Sequence, residues 1–192
     1  MLFLCTGNAT RSVLAGAALR ARLPEVEVEV ITAGTLTVDG HPVSWRTRAA
    51  FDAVGLAVPS HRSRQATRRD LERAQLVVGL APEHVRWVRR EHAGAVAKTA
   101  TLKRLCVQLP LTGSGPLAAR VDALALAGVE LEDWEEVVDP GGGEVEAFIA
   151  CAHEIVRLVD ELADALSARP GRRTRPAPAA AVLPPRASRR RG

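Results

Sequence analysis

Several residue types are scarce or missing in this chain of 192 residues. It contains no tyrosine, only 3% aromatic residues, and three cysteines that are scattered along the sequence. Three scattered cysteines exclude a disulfide framework and favour a reducing compartment. No apolar stretch approaches the roughly 18 residues that a membrane-spanning helix needs. We therefore expect no membrane span, no secretion signal and a cytoplasmic location.

Charge is distributed unevenly along the chain. Residues 169–192 contain eight Arg, five Pro and no acidic residue, which leaves 18 basic and 22 acidic residues in the rest. A basic segment rich in Pro and Ala cannot bury enough apolar surface to fold, so we expect a disordered tail. This tail either contacts acidic partners or has no specific partner. With so few aromatic residues and no recognised motif, we expect no specific nucleic acid binding.

Strand and helix patterns alternate through residues 1–168, which we expect to form one domain. Strand patterns lie at residues 2–5, 26–32, 74–80 and 95–100, with helix patterns at 12–23, 44–54, 82–92, 117–127 and 144–166. Val and Glu alternate at the start of the second strand, which indicates a sheet edge. The alternation predicts an α/β three-layer sandwich with a central four-stranded parallel sheet and helices on both faces. Ligands of such sheets bind beyond the carboxyl ends of the strands.

A cysteine and an arginine separated by five residues follow the first strand pattern. Residues 5–12 read CTGNATRS, and a helix pattern begins at Ser12. A thiolate is stabilised at a helix N-terminus and beside an arginine, and both influences would act on Cys5. The following N–H groups can wrap an anion, and Arg11 offers a fork to two phosphate oxygens. The pattern therefore indicates a nucleophile in an anion cradle, which suits phosphoryl transfer to sulfur.

The other residues of this segment support the cradle. Gly7 allows close backbone approach or a positive φ, Asn8 tolerates a left-handed conformation, and Ser12 can reach the Cys5 sulfur. Substrate is expected to bind at Thr6, Gly7, Asn8, Ala9, Thr10 and Ser12. On spacing alone, a buried structural cysteine followed by an ordinary helix is an equally good interpretation.

Residues 2–12 resemble the N-terminus of the low-molecular-weight protein tyrosine phosphatases, which carry a Cys-x5-Arg-Ser loop there. Three further stretches resemble that family in the same order: Thr32-Ala33-Gly34-Thr35, Gly55-Leu56 with His61-Arg62-Ser63-Arg64-Gln65, and Val137-Val138-Asp139-Pro140. The resemblance implies a cysteine-dependent phosphatase that hydrolyses phosphate monoesters through a phosphocysteine, with phosphotyrosine in proteins as the main substrate class. It implies no cofactor and no metal.

Asp139 is the candidate general acid, because a thiolate that attacks phosphorus must expel an oxygen anion that needs a proton. Taken alone, Asp-Pro-Gly-Gly is only a turn before the last helix, and the resemblance is what favours catalysis. The resemblance also implies that the Thr32 hydroxyl holds Asn8 and that His61 supports the cysteine segment.

Two departures from the family pattern concern the substrate slot and the loop cysteine. Gly141-Gly142-Gly143 stands where many relatives have tyrosines, which predicts a wider slot that is less selective for an aryl ring. Thr10 replaces a second loop cysteine of eukaryotic members. The other two cysteines, Cys106 and Cys151, are expected in helices of the core.

Two other functions stay open at this point. An arsenate reductase of the same fold needs a resolving thiol, commonly from a cysteine pair that this chain lacks. A weakly active phosphate-binding or adaptor domain is the other alternative, motivated by the triple glycine and the first strand. Only three apolar residues precede Cys5, so either that strand is short or the chain begins upstream of Met1.

Overall fold

The computed structural model describes residues 1–23 and 28–167 of the chain. Its central sheet has four parallel strands, β1 Leu2–Cys5, β2 Ile31–Gly34, β3 Val77–Gly79 and β4 Thr99–Thr101. They lie in the order β2-β1-β3-β4, with Cys5 opposite Gly34 and Leu4 opposite Gly79. The strand order therefore switches beside β1, and the carboxyl end of such a strand is where open α/β sheets bind ligands.

Helices alternate with the strands, and further helices come after the last strand in the sequence. Within the described residues the α-helices are α1 Arg11–Arg22, α2 Trp45–Ala53, α3 Arg68–Arg73, α4 Pro82–Glu91, α5 Leu102–Gln108, α6 Leu117–Ala123 and α7 Val145–Ser167. Short 3-10 turns cover Ala93–Lys98, Leu109–Thr112, Leu126–Gly128 and Asp133–Glu135. No helix in these ranges is long and apolar enough to cross a membrane.

Side-chain caps determine where several helices begin. The Ser44 hydroxyl accepts a hydrogen bond from the Thr47 amide at the start of α2, and Thr101 caps α5 in the same way. Thr67 and Asp70 form a capping box at α3. Each cap satisfies an amide that a helix end otherwise leaves without a partner.

Two apolar layers hold the sheet between helices, which confirms the predicted three-layer α/β sandwich. Phe3 and Val78 belong to the larger core with residues of α1, α2, α5 and α7. Leu2, Leu4 and Val77 belong to a second core with residues of α3 and α4. All four residues of β1 are buried. Because both of its faces are covered, this strand appears in the sequence as a continuous apolar run.

Two predicted segments fall partly or wholly outside the described residues. The strand predicted over 26–32 corresponds to β2, which begins at Ile31, and residues 26 and 27 lie outside the described residues. β2 is an edge strand, as the alternation of Val and Glu indicated. The basic tail predicted over 169–192, and with it the domain boundary at residue 168, also lies outside the described residues.

Three other elements are shorter than their sequence patterns. β3 begins at Val77 instead of residue 74, because Ala74 still caps α3. The pattern over 95–100 mostly forms a 3-10 turn, and β4 begins only at Thr99. The helix predicted to reach residue 127 ends at Ala123. Ala125 has a left-handed φ of 48°, which a right-handed helix cannot contain.

Candidate active site

The cysteine loop (residues 5–12) joins β1 to α1 and leaves backbone N–H groups without protein acceptors. Cys5, its first residue, is 3% exposed. The carbonyls of Cys5 and Thr6 accept hydrogen bonds from two amides that directly follow β2. In the part of the chain that the structure describes, no N–H group of residues 6–10 donates to a backbone acceptor. Bonded carbonyls and free amides make this loop suited to binding an anion.

Ser12 lies within hydrogen-bonding distance of the Cys5 sulfur. Its Oγ lies 3.0 Å from Cys5 Sγ and 3.0 Å from Asn8 Nδ2. Because an amide nitrogen only donates, Ser12 Oγ accepts from Asn8, and its own proton is available to a thiolate sulfur. Hydrogen bonds to an ionised group are stronger than those between neutral groups, so this contact stabilises a thiolate at Cys5.

Asn8 connects the cysteine loop to the segment that follows α2. It is buried and has a left-handed φ of 48°. Its Oδ1 accepts a hydrogen bond from the Arg64 amide at 3.0 Å, and its carbonyl oxygen lies 2.7 Å from His61 Nε2. The unusual backbone conformation therefore falls on Asn8 and not on Gly7, and His61 lies where a supporting residue was expected.

Gly34 brings the end of β2 close to the cysteine loop. A Cβ atom at this position would lie 1.7 Å from Thr37 Oγ1 and 2.5 Å from the Thr6 carbonyl oxygen. No side chain fits at such distances. The glycine of the Thr-Ala-Gly-Thr stretch is therefore explained by close backbone approach.

The structure corrects the prediction that the Thr32 hydroxyl holds Asn8. The two side-chain ends of Asn8 are bonded to Ser12 Oγ and to the Arg64 amide. Thr32 instead directs its methyl group against α1, where a Cβ atom at Gly16 would lie 2.5 Å from Thr32 Cγ2. Its β-branched side chain therefore packs a helix against the sheet.

Arg11 joins the cysteine loop to the acid loop, which comprises residues 137–143. Its Nη2 donates to Asp139 Oδ2 at 2.5 Å and to Thr6 Oγ1 at 3.3 Å, and its Nη1 donates to the Val137 carbonyl at 3.2 Å. The Arg11 side chain is 2% exposed, whereas that of Asp139 is 49% exposed. Two residues that are 128 positions apart in sequence thus share one ion pair.

These groups together can carry out phosphoryl transfer to sulfur. The sulfur can attack, the free amides and Arg11 can hold the equatorial oxygens, and the Asp139 carboxyl can exchange a proton with a leaving oxygen. Across residues 1–23 and 28–167, no group of three His, Cys, Asp or Glu side chains is arranged to hold a metal ion.

The first part of the chain matches a known protein family. The family model described as low molecular weight phosphotyrosine protein phosphatase matches residues 1–111, which is more than half of the chain. The chain belongs to this family. It is therefore a cysteine-dependent phosphatase with the fold of that family.

Individual relatives of this phosphatase cover most of its length. It is 28% identical over 167 residues to the protein-arginine-phosphatase of Geobacillus stearothermophilus, which covers 86% of this chain and 95% of that protein. It is 31% identical over 105 residues to the probable low molecular weight protein-tyrosine-phosphatase EpsP of Ralstonia nicotianae, which covers 55% and 69%.

Solved structures show the same architecture as the phosphatase. The YwlE arginine phosphatase from Geobacillus stearothermophilus superposes with a TM-score of 0.68 at 27% identity, covering 86% of this chain and 90% of that one. A low molecular weight protein tyrosine phosphatase from T. tengcongensis superposes with a TM-score of 0.66 at 26% identity, covering 84% and 95%.

His84 is a residue of the phosphatase that sequence reasoning missed. It lies in the first turn of α4, is fully buried, and places Nε2 3.2 Å from Thr6 Oγ1. Its Nδ1 has no hydrogen-bond partner among the described residues. Burial and the nearby Arg11 charge lower the pKa of His84 to about 3, so the ring is neutral near pH 7. Its position just after the carboxyl end of a buried strand was the available signal.

The remaining cysteines of the phosphatase lie in helices, as expected. Cys106 belongs to α5 and Cys151 to α7, and neither forms a disulfide. Burial raises the pKa of each thiol to about 12. A resolving cysteine acts as a thiolate, so neither one suits the arsenate reductase alternative.

Hydroxyl groups connect the cysteine loop of the phosphatase to α2. Thr10 Oγ1 lies 2.9 Å from Thr47 Oγ1, which is 3.1 Å from Ser44 Oγ. Between these α2 residues stands Trp45, which is 62% exposed. The first turn of α2 therefore offers an aromatic surface next to the residues that contact the loop.

Proposed function

We propose that this phosphatase hydrolyses phosphate monoesters through a phosphocysteine on Cys5. The observation that supports the proposal best is that Ser12 lies against the Cys5 sulfur while Arg11, from the same loop, is paired with Asp139. Cys5 sulfur bonds to phosphorus as the ester oxygen leaves, and Asp139 supplies the proton to that oxygen. Water then attacks the phosphocysteine, Asp139 takes its proton, and inorganic phosphate leaves as the thiolate returns.

The phosphate group binds to the amides of the cysteine loop. The loop residues that contribute are Thr6, Gly7, Asn8, Ala9, Thr10 and Ser12, and their amides need no reorganisation because they already lack protein acceptors. Arg11 holds two equatorial oxygens with its planar fork. His61 supports the loop from outside, through the Asn8 carbonyl.

The substrate that we propose is phosphotyrosine in a protein. Three large apolar side chains are exposed within two sequence positions of residues that contact the cysteine loop or Arg11. They are Leu36, Trp45 and Val138. Such a surface suits a protein segment with an aryl phosphate better than a small polar ester. The glycines after Pro140 leave the opposite wall of the slot without aromatic side chains.

Phosphoarginine in proteins is the second candidate substrate. The observation that favours it is that a protein-arginine-phosphatase aligns with 86% of this chain. The same two-step chemistry applies, with a guanidine nitrogen as the leaving atom in place of a phenol oxygen. Parallel assays with one peptide sequence that carries either phosphotyrosine or phosphoarginine decide between the two by the ratio of kcat/KM values.

The catalytic assignment is tested by hydrolysis of p-nitrophenyl phosphate. Cys5→Ser should abolish turnover, because the weaker hydroxyl nucleophile replaces the thiolate. On phenyl phosphate, whose poorer leaving group needs a proton donor, Asp139→Asn should lower turnover by about 10²-fold or more, because proton transfer to the leaving oxygen is lost. Turnover that survives in Cys5→Ser would overturn the assignment.

Matched variants control for general damage in this assay. Cys106→Ser changes a helix-borne thiol, and Asp160→Asn changes an exposed carboxylate that pairs with Arg22. Both should retain wild-type hydrolysis. If Cys106→Ser instead abolished a thiol-dependent turnover of arsenate, the reductase alternative would replace the phosphatase.

We also propose a phosphatase domain in residues 1–168 and a basic tail in residues 169–192 that contacts acidic partners. Eight arginines without an acidic residue support the role of the tail. We propose a cytoplasmic location, which three free cysteines support.

A further inference from the structure

A buried ion pair fixes the chain shortly before the acid loop. Glu135 is fully buried, and Arg104 of α5 donates to it twice, from Nε to Oε2 at 2.9 Å and from Nη2 to Oε1 at 2.5 Å. Thr101 Oγ1 donates to Oε2 at 2.5 Å, and the Glu132 amide donates to Oε1 at 2.9 Å. Both carboxylate oxygens therefore have two donors each.

This pair calls for an explanation other than stability. A buried carboxylate loses its hydration, and replacing a buried ion pair by apolar residues is often neutral or stabilising. Burial alone would raise the pKa of Glu135, but the hydrogen bonds from Arg104 and Thr101 outweigh it and lower that pKa. Glu135 is thus held as an anion in one geometry. A bidentate guanidinium contact of this kind supplies direction as well as energy.

The segment between Glu135 and Asp139 is attached to the rest of the protein at two points. Glu135 lies two residues before Val137, whose amide donates to the Leu80 carbonyl at 2.8 Å and whose carbonyl accepts from Arg11. Leu80 directly follows β3, and Arg104 lies in the helix that directly follows β4. The segment before Asp139 is therefore attached to the carboxyl ends of two neighbouring strands. Only Val138 then separates the last attachment from Asp139, whose carboxylate is half exposed.

We propose that Arg104 and Glu135 are positioning residues that set how far the Asp139 carboxyl reaches over the leaving oxygen. The inference rests on the proposed role of Asp139 as the acid. Arg104 and Glu135 do not contact substrate. They act through the short stretch of backbone that the Val137 hydrogen bonds complete.

A displaced general acid can be detected by comparing kcat/KM for substrates whose leaving groups differ in acidity. An aryl phosphate with an acidic phenol, such as p-nitrophenyl phosphate, needs little help from a proton donor, whereas phenyl phosphate needs much more. The value of kcat/KM reports transfer to sulfur and excludes later hydrolysis of the phosphocysteine. The ratio of kcat/KM values for the two substrates therefore measures how well the acid is placed, and general damage to the protein leaves this ratio unchanged.

The test compares wild type, Asp139→Asn, Glu135→Gln and Glu136→Gln on both substrates. Glu135→Gln keeps the shape but removes the charge, and it should lower kcat/KM for phenyl phosphate about tenfold more than for p-nitrophenyl phosphate. Asp139→Asn should show a larger contrast of the same kind. Glu136→Gln is the matched control, because this neighbouring side chain is exposed and forms no hydrogen bond or ion pair among the described residues. It should leave the ratio at the wild-type value.

The outcomes separate the two proposals. An equal loss on both substrates in Glu135→Gln, or no loss, overturns the positioning role while Asp139→Asn still supports the acid. If Asp139→Asn itself shows no contrast, the acid role fails and the positioning role fails with it. Arg104→Lys serves where Glu135→Gln does not fold, because a lysine cannot make the bidentate contact, and the same selective loss is expected. Thermal unfolding of each variant shows that the compared proteins are folded.

Discussion

The cysteine loop and the acid loop meet at Arg11, but they are fixed to different degrees. In the cysteine loop Asn8, Arg11 and Ser12 are buried, and hydrogen bonds reach it from the ends of β2, α2 and α4. In the acid loop Asp139 is half exposed, and among the described residues its carboxylate forms hydrogen bonds only with Arg11 and the Gly141 amide. The nucleophile and cradle are thus preorganised. The acid keeps the freedom to serve a leaving oxygen first and a water afterwards.

The largest effect is expected from a substitution that disturbs the close approach of β2 to the cysteine loop. Gly34→Ala places a Cβ atom against Thr37 Oγ1 and the Thr6 carbonyl, both of which are held by other bonds. Overpacking of this kind costs about 1–3 kcal/mol or more. We expect lower stability in urea unfolding and loss of most phosphatase activity.

Gly94→Ala is the control for that substitution, because no atom lies within 4 Å of a Cβ atom at this position. It should retain wild-type stability and activity. Wild-type behaviour of Gly34→Ala would contradict the view that the cysteine loop is held rigidly by β2.

A smaller effect is expected from Ser12→Ala, which tests whether the Ser12 hydroxyl stabilises a thiolate at Cys5. It removes the hydroxyl that lies 3.0 Å from Cys5 Sγ and that also accepts a hydrogen bond from Asn8 Nδ2. Hydrogen bonds to charged groups contribute about 1.5–3 kcal/mol, so alkylation of Cys5 by iodoacetamide at pH 7 should slow about 10- to 100-fold.

The exposed Ser114 provides the matched control. Ser114→Ala should be alkylated at the wild-type rate. Equal rates for Ser12→Ala and wild type would show that the serine does not stabilise a thiolate.

The smallest expected effect concerns His84, which contacts the cysteine loop through Thr6. Its pKa is about 3 in the folded protein, below the ordinary value of 6.5. The unfolded chain therefore binds this proton first as the pH falls, and stability decreases from about pH 6.5 downward. The slope is up to about 1.4 kcal/mol for each pH unit. His84→Gln should flatten the slope of unfolding free energy between about pH 6.5 and 4.5.

The comparison of slopes stops at about pH 4.5 because Asp70, whose pKa is lowered to about 2, adds its own loss of stability below about pH 4. His153→Gln, at an exposed histidine, should keep the wild-type slope. An unchanged slope in His84→Gln would mean that the buried ring is not the group responsible.

The two loops also differ in how much of them the sequence could predict. The cysteine loop is local, so a strand pattern, a glycine, an asparagine and Arg-Ser within eight residues indicated both its position and its chemistry. Asp139 came only from the family resemblance, because its ion pair spans 128 residues. His84 and the Arg104–Glu135 pair were missed for the same reason. A buried charged residue or histidine cannot be told from an exposed one in a sequence, because its partners are distant along the chain.

Thr32 shows a different limit of sequence reasoning. The resemblance assigned its hydroxyl to Asn8, yet the hydrogen bonds that the Asn8 side chain makes among the described residues go to Arg64 and Ser12. The residue type fits both roles, and only the packing of α1 against β2 decides between them. The starts of β3 and β4 were predicted too early, because Ala74 still ends α3 and residues 93–98 form a 3-10 turn.

The ion pair between Arg11 and Asp139 has a consequence for each catalytic cycle. The buried guanidinium has a counter-ion within the protein before substrate arrives, so an incoming phosphate competes with a tethered carboxylate for the same nitrogen. Departure of the product allows that carboxylate to return. In the mechanism that we propose, each turnover exchanges a carboxylate for a phosphate on Arg11 and back again, so this buried guanidinium is paired with an anion before and after the reaction.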